Sequence, residues 1–202
     1  MEPTQAITRV LKREGVADVQ TLGALGLSRP TLFRALRQLE QGGRIMRLRR
    51  GVYAPASDRL ASDTWGLALR RYPKGVLCLL SALAFHEITT QAPWDVWLAL
   101  PAGSRAPGKG YPPIRAVYVS GAAYSAGIET HRRPTGEVRV YSVAKTVADC
   151  FKFRNRVGLD VALEALREGW RERRFTMEEL YRMAQLCRMQ NVMRPYMEAL
   201  VA

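Results

Sequence analysis

The chain has 202 residues, 48% of them hydrophobic, which is enough apolar material for one large domain or two small ones. Its formal net charge of +13 comes from 31 Lys+Arg against 18 Asp+Glu, with arginine in the majority, a balance that favours a polyanionic partner such as nucleic acid or an anionic membrane surface. No window approaches the ~18–20 continuous apolar residues of a membrane span, the start MEPTQAITRV lacks an apolar signal core, and Cys78, Cys150 and Cys187 are too far apart for metal-ligand spacing. The expectation is a cytoplasmic protein with buried free thiols, no membrane association, no metal and no cofactor. The only two histidines, His86 and His131, are well separated and suggest no site by themselves.

A short amphipathic helix is predicted over 4–13, where Ile7, Val10 and Leu11 share a face and Gly15 closes it. Asp18 can cap a second helix, 19–25, whose apolar edge is Val19, Leu22 and Leu25, with Gly26 as its stop. The turn 25–28 leads into SRPTLFRALRQLEQGGRIMRLRRGVY (28–53). At about 100° per residue, Leu32, Leu36 and Leu39 form one stripe. Arg34, Arg37 and Gln41 fall opposite, with Pro30 and Thr31 nearby. Ser28 is a suitable N-cap, Pro30 is tolerated in the first turn, and Gly42-Gly43 can end the helix in a left-handed turn.

A basic hairpin follows: a strand over 44–48, a tight turn Arg49-Arg50-Gly51, and Val52-Tyr53 returning. Residues 28–53 hold seven basic side chains (29, 34, 37, 44, 47, 49, 50) against the single acid Glu40. Two helices joined by a short turn, the second cationic outside, with a basic hairpin after them, make a winged helix-turn-helix over residues 1–55. In that arrangement Arg34, Arg37 and Gln38 would reach base edges or phosphates in the major groove of double-stranded DNA. Ser28, Arg29 and Thr31 would lie beside the backbone at the helix start, where phosphate is favoured. Arg47, Arg49 and Arg50 would touch an adjacent phosphate or enter the minor groove. The competing reading is a protein-contact module with a merely solvated arginine face. The adjacency of Ile45 and Met46 leaves the register of the first wing strand open.

Residues 54–57 (APAS) read as a linker, and 58–202 as a second, α+β domain. Helices are expected over 60–72 and over the apolar run 77–85. Strands are expected over 95–100, 114–119, 127–131 and 137–141, forming a small mixed sheet. The intervening AGSRAPGKGYPP (102–113) reads as a mobile surface loop; it lacks the GxxxxGK[ST] spacing of a phosphate-binding loop. From Ser142 the pattern turns helical. Val147, Ala148 and Phe151 mark one helix; Leu163, Leu166 and Trp170 a second; a Thr176/Glu179 capping box opens a third carrying Leu180, Met183, Ala184 and Cys187; a fourth begins near Asn191.

Two constellations invite an enzymatic reading. Ser81 and His86 are five apart on one predicted helix and do not face each other, and no acid is placed to orient the imidazole. Ser142-Val143-Ala144-Lys145 matches SxxK, but SDN and KTG are absent. The plainer reading there is an N-cap serine and a Lys145/Asp149 pair four residues apart, worth a few tenths of a kcal/mol, on the order of 0.3. No catalytic activity is expected.

The chain resembles the AbiEi family of antitoxins, transcriptional regulators of bacterial and phage-defence toxin–antitoxin pairs. The resemblance is carried by RRGVYAP (49–55), LLSALAFHEITTQAP (79–93) and VYSVAKTVADCFKFR (140–154). It covers nearly the whole chain, and the last two segments are the more specific. It implies an N-terminal domain that binds repeats in its own promoter and represses the operon, and a C-terminal domain that opposes a nucleotidyltransferase-like toxin. Lys145, Thr146 and Asp149 match the family pattern, but no single residue is implied for antitoxicity. The alternative within binding proteins is a ligand-sensing transcriptional regulator unrelated to a toxin.

Overall fold

The computed structural model describes residues 2–56, 63–108, 110–133 and 136–201. Helix α1 (Pro3–Glu14) turns Ala6, Ile7 and Leu11 inward, and its last turn is closed by the Gly15 N–H donating to the Leu11 carbonyl at 2.8 Å. A two-residue strand, β1 (Ala17–Asp18), follows, and the Asp18 carboxylate accepts from the Thr21 N–H at 2.7 Å to cap α2 (Val19–Gly23). Helix α3 (Arg29–Gln41) is capped by Ser28 as expected, Oγ accepting from the Thr31 N–H at 3.4 Å. It ends at Gly43, whose φ of 61° lets the Arg44 N–H turn back to the Leu39 carbonyl at 2.9 Å.

Strands β2 (Ile45–Arg49) and β3 (Val52–Pro55) form an antiparallel hairpin about Arg50-Gly51, and β1 pairs with the other edge of β3. Ile7, Leu11, Leu22, Leu32, Leu36, Leu39, Ile45 and Tyr53 fill the space between helices and sheet. The register of β2 is regular from Ile45 to Arg47, and the pairing slips between Arg47 and Arg49, leaving Leu48 as an extra residue on the bulged strand. Ile45 points into the core while Met46 is 42% exposed; Leu48 packs on the other side of the sheet with Val16, Val52, Ala54 and Leu67.

That second packing corrects the linker reading. Ala54 and Pro55 belong to β3, and Ala54 is fully buried, because the far side of the hairpin is covered by α4 (Thr64–Arg71), which supplies Leu67. Ser57 lies outside the described residues, as do the first three positions of the helix expected over 60–72.

The rest of the chain is built on a five-stranded sheet of order β6-β5-β4-β8-β7, from β4 (Val76–Leu77), β5 (Val96–Pro101), β6 (Ile114–Val119), β7 (Ile128–Arg133) and β8 (Gly136–Tyr141). The β5/β6 and β4/β8 pairs are parallel, the β4/β5 and β7/β8 pairs antiparallel, so the sheet is mixed. Alternate residues face opposite ways. Leu77, Leu98, Val138 and Val140 pack with α4 residues Ala68 and Leu69. Val76, Trp97, Ala99, Val117 and Tyr141 meet the helical layer, which comprises α5 (Leu79–Phe85), α7 (Val143–Lys152), α9 (Leu159–Arg171), α10 (Met177–Leu186) and α11 (Gln190–Val201). Two single-turn helices, α6 (Ala122–Ser125) and α8 (Arg154–Val157), complete this part, and the chain is α+β as expected.

Two expectations fail here. The run 77–85 is not one helix: Leu77 is in β4, Cys78 is extended, and α5 starts at Leu79. A continuous apolar run carries no period, so a buried strand and a buried helix read alike. The loop 102–113 is not a free surface loop. The Arg71 guanidinium donates to the Gly108 carbonyl at 3.1 Å, and a Cβ at Gly110 would stand 2.5 Å from Arg71 Nη1. Gly110 therefore lets the backbone lie directly against the guanidinium. Pro112 is buried, and Tyr111 packs against the cluster that joins β3 to α4.

Leu36 is 1% exposed and Phe33 43% exposed on neighbouring turns of α3. Leu36→Ala should therefore cost about 2–5 kcal/mol in chemical denaturation, and Phe33→Ala no more than about 1 kcal/mol.

Candidate nucleic-acid interface

Helix α3 divides cleanly. Leu32, Ala35, Leu36 and Leu39 are at most 4% exposed and seat it on α1, α2 and the small sheet. Arg29, Arg34, Arg37, Gln38 and Gln41 are exposed. Arg34, Arg37 and Gln38, the candidates for base or phosphate contact, thus stand on the solvent-facing side, held by a packed opposite side. Packing fixes the helix, and the helix aims the guanidinium groups.

Ser28 and Thr31 have prior engagements. Their hydroxyls are 2.7 Å apart and hydrogen-bonded, and the Ser28 oxygen also accepts the Thr31 N–H. Their demonstrated work is to start the helix. Any anion contact there would use the remaining hydroxyl capacity and the partial positive charge of the helix N-terminus.

On the hairpin, Arg47 lies opposite Tyr53 and is exposed, Arg49 is the last residue of β2 opposite Val52, and Arg50 is exposed in the turn. The turn is anchored by the Val19 N–H donating to the Gly51 carbonyl at 2.9 Å. The arginine-bearing tip is therefore held against the start of α2.

Arg44 and Phe33 are exposed as well and were not among the sequence-derived contact candidates. Arg44 stands between α3 and β2, and Phe33 sits four residues before Arg37 on the outer side of α3. Phe33 was recoverable: it falls off the Leu32/Leu36/Leu39 stripe, so the helical period alone puts this aromatic outside the packed face.

The constellations that suggested hydrolysis are otherwise occupied. The Ser81 hydroxyl accepts from the Trp97 N–H at 2.9 Å, and His86 Nε2 donates to the Tyr141 carbonyl at 2.7 Å. Burial lowers the His86 pKa and favours the neutral ring, although the Tyr141 hydrogen bond opposes that shift. Ser142 Oγ accepts from the Lys145 N–H at 3.4 Å, as an N-cap should. The Lys145 side chain points elsewhere, fully buried, with Nζ donating to Asp149 Oδ2 at 2.5 Å and lying 4.1 Å from the Tyr141 ring centroid.

The expected Lys145/Asp149 pair is thus present, but it is buried, so the few tenths of a kcal/mol of a solvated helix pair is not its measure. Asp149 also accepts from Cys187 Sγ at 3.3 Å, so one carboxylate ties α7 to the end of α10. Burial and the Asp149 charge push the Cys187 thiol up to about 12 and raise Cys78 and Cys150 as well, so all three buried, unpaired cysteines stay protonated at neutral pH. Among the described residues no group of three or more His, Cys, Asp or Glu side chains is placed to hold a metal ion, and no helix is long and apolar enough to cross a membrane.

With both charges out of water, removing one is far costlier than at a surface. Asp149→Ala should destabilise the chain by about 3–5 kcal/mol in thermal or chemical denaturation, while Lys145→Met combined with Asp149→Leu should cost much less.

No curated protein matches the chain. Among solved structures, the crystal structure of the RV2827C protein from Mycobacterium tuberculosis is similar at a TM-score of 0.49 and 19% identity, over 91% of this chain and 71% of that one. The resemblance read from the sequence holds at its N-terminal end, where residues 5–56 match the family model for AbiEi antitoxin transcriptional regulators.

Proposed function

We propose that the chain is a non-catalytic, DNA-binding regulator and antitoxin working in the cytoplasm. Residues 1–55 act as a winged helix-turn-helix that binds double-stranded DNA at repeats in its own promoter and represses the operon. Residues 58–202 act as a second domain that neutralises a nucleotidyltransferase-like toxin. The observation that carries the DNA-binding half is the two-sided α3: Arg34, Arg37 and Gln38 exposed, and Leu32, Leu36 and Leu39 buried, within the segment that matches the AbiEi antitoxin family.

The roles follow from position. Arg34, Arg37 and Gln38 enter the major groove, where arginine can grip a guanine edge with two hydrogen bonds and glutamine an adenine edge. Phe33 supplies an apolar neighbour for a thymine methyl. Ser28, Arg29 and Thr31 at the helix start face a phosphate. Arg47, Arg49 and Arg50 follow the backbone beside the wing or enter a narrow minor groove. The engagement of Ser81, His86, Ser142 and Lys145 in structural contacts supports the non-catalytic part of the reading.

Arg34→Ala and Arg37→Ala should each weaken binding to the upstream promoter by about 1–3 kcal/mol in gel shifts with the full chain, while protection from the toxin in cells is retained. Unchanged promoter binding by the double variant would remove α3 from the interface. Replacing Arg47, Arg49 and Arg50 by alanine should weaken binding on all sequences alike and lower the salt-dependence slope by about one for each phosphate that is no longer neutralised. A changed sequence preference at constant slope would instead make the wing a base reader.

A further inference from the structure

A cleft of about 570 Å³ opens between the end of α4, the end of β5 and the loop 102–113. Tyr72, Pro73 and Leu100 give it apolar walls, and Arg71, Lys74 and Arg105 line it with positive charge. No carboxylate lines it among the described residues. Its size is that of a small-molecule site, and apolar walls with convergent cations complement an anion on an apolar body. Arginine, with its planar fork, matches a carboxylate with two parallel hydrogen bonds.

Arg71 gives the cleft a second property. Its guanidinium donates to the Gly108 carbonyl and lies against Gly110, and the next residue, Tyr111, packs in the cluster that contains Val52 and Ala54 of β3. The same arginine also lines a second cleft, of about 340 Å³, whose opposite wall includes Arg13, Asp18 and Thr21 of the N-terminal segment. Whatever engages Arg71 thus acts on a loop that leans directly on the wing hairpin.

We propose that this cleft is an effector site for a small aromatic carboxylate. Arg71 and the rim cations Lys74 and Arg105 hold the carboxylate, and Tyr72, Pro73 and Leu100 hold the ring. Occupancy draws on the guanidinium that otherwise steadies Gly108 and Gly110, and the loop passes the change through Tyr111 to β3. Binding stands independently of the DNA reading; its regulatory consequence rests on the hairpin being part of a DNA interface.

The test uses the full chain and 2-naphthoate as probe, with neutral 2-naphthalenemethanol as control, followed by calorimetry and by amide hydrogen exchange. Saturable binding of 2-naphthoate is expected, at least tenfold weaker for the alcohol and at least tenfold weaker for Lys74→Glu combined with Arg105→Glu. Both substituted side chains are exposed, and Arg105→Ala alone should give an intermediate loss in a chain of unchanged melting temperature. Bound 2-naphthoate should alter exchange at residues 110–111 and 52–54. Absence of saturable binding, equal binding of the alcohol, indifference to the charge reversal, or unaltered exchange at 52–54 would each overturn the proposal. Wild-type chain that passes these tests yet binds no promoter DNA would overturn the DNA reading and leave the site standing.

Discussion

Both sides of β3 are buried, and the rest of the architecture depends on that constraint. Tyr53 turns toward α1, α2 and α3 and completes the N-terminal core. Val52 and Ala54 turn the other way and meet Leu67 of α4, with Tyr111 and Leu48 packed around them. A strand covered on one side only could belong to a freely tethered module. Covered on both, it fixes the orientation of the hairpin, and with it the arginine-bearing turn, relative to the sheet beyond. Along β2, alternation alone sends Ile45 to one core and Leu48, three residues on, to the other.

The distribution of charge follows a similar division between what is buried and what is displayed. In residues 28–53 most apolar side chains do the packing, while Arg29, Arg34, Arg37, Arg44, Arg47 and Arg50 are exposed and give this face a positive field. The second half of the chain does the opposite with Lys145 and Asp149, which are buried on α7 and paired with each other, Asp149 also accepting from Cys187. A buried pair of this kind contributes little net stability compared with an apolar pair of similar volume; it lies within α7, and the bond that reaches α10 is the one from Cys187 to Asp149.

Much of the fold was legible where local chemistry decides the outcome. Asp18, Ser28, Ser142 and the Thr176/Glu179 capping box all start helices as read, because a cap is a short-range hydrogen bond written in adjacent residues. The strand over 114–119 and the outward turn of Arg34 and Arg37 were legible from composition and period. What escaped was set by distant partners. β1 and β4 are two residues long and exist only because another strand lies beside them. Ala54 and Pro55 look like linker residues until Leu67 covers them. The loop 102–113 has the composition of a mobile segment, but distant partners hold it: Arg71, 37 positions before Gly108, and the cluster of Val52, Ala54 and Leu67 around Tyr111. Phe33 differs from these, since its signal was present in the helical period of α3 itself.

The central claim is that the outer side of α3 and the adjacent wing meet DNA. It is tested most directly by titrating the isotopically labelled full chain with a duplex of its upstream promoter and following backbone amide and arginine Nε–H resonances. The account predicts that the largest changes fall at residues 28–38 and 47–51, including the Arg34 and Arg37 side chains, with Leu32, Leu36 and Leu39 little affected. Changes confined to the helical layer of residues 143–201, with α3 silent, would contradict it.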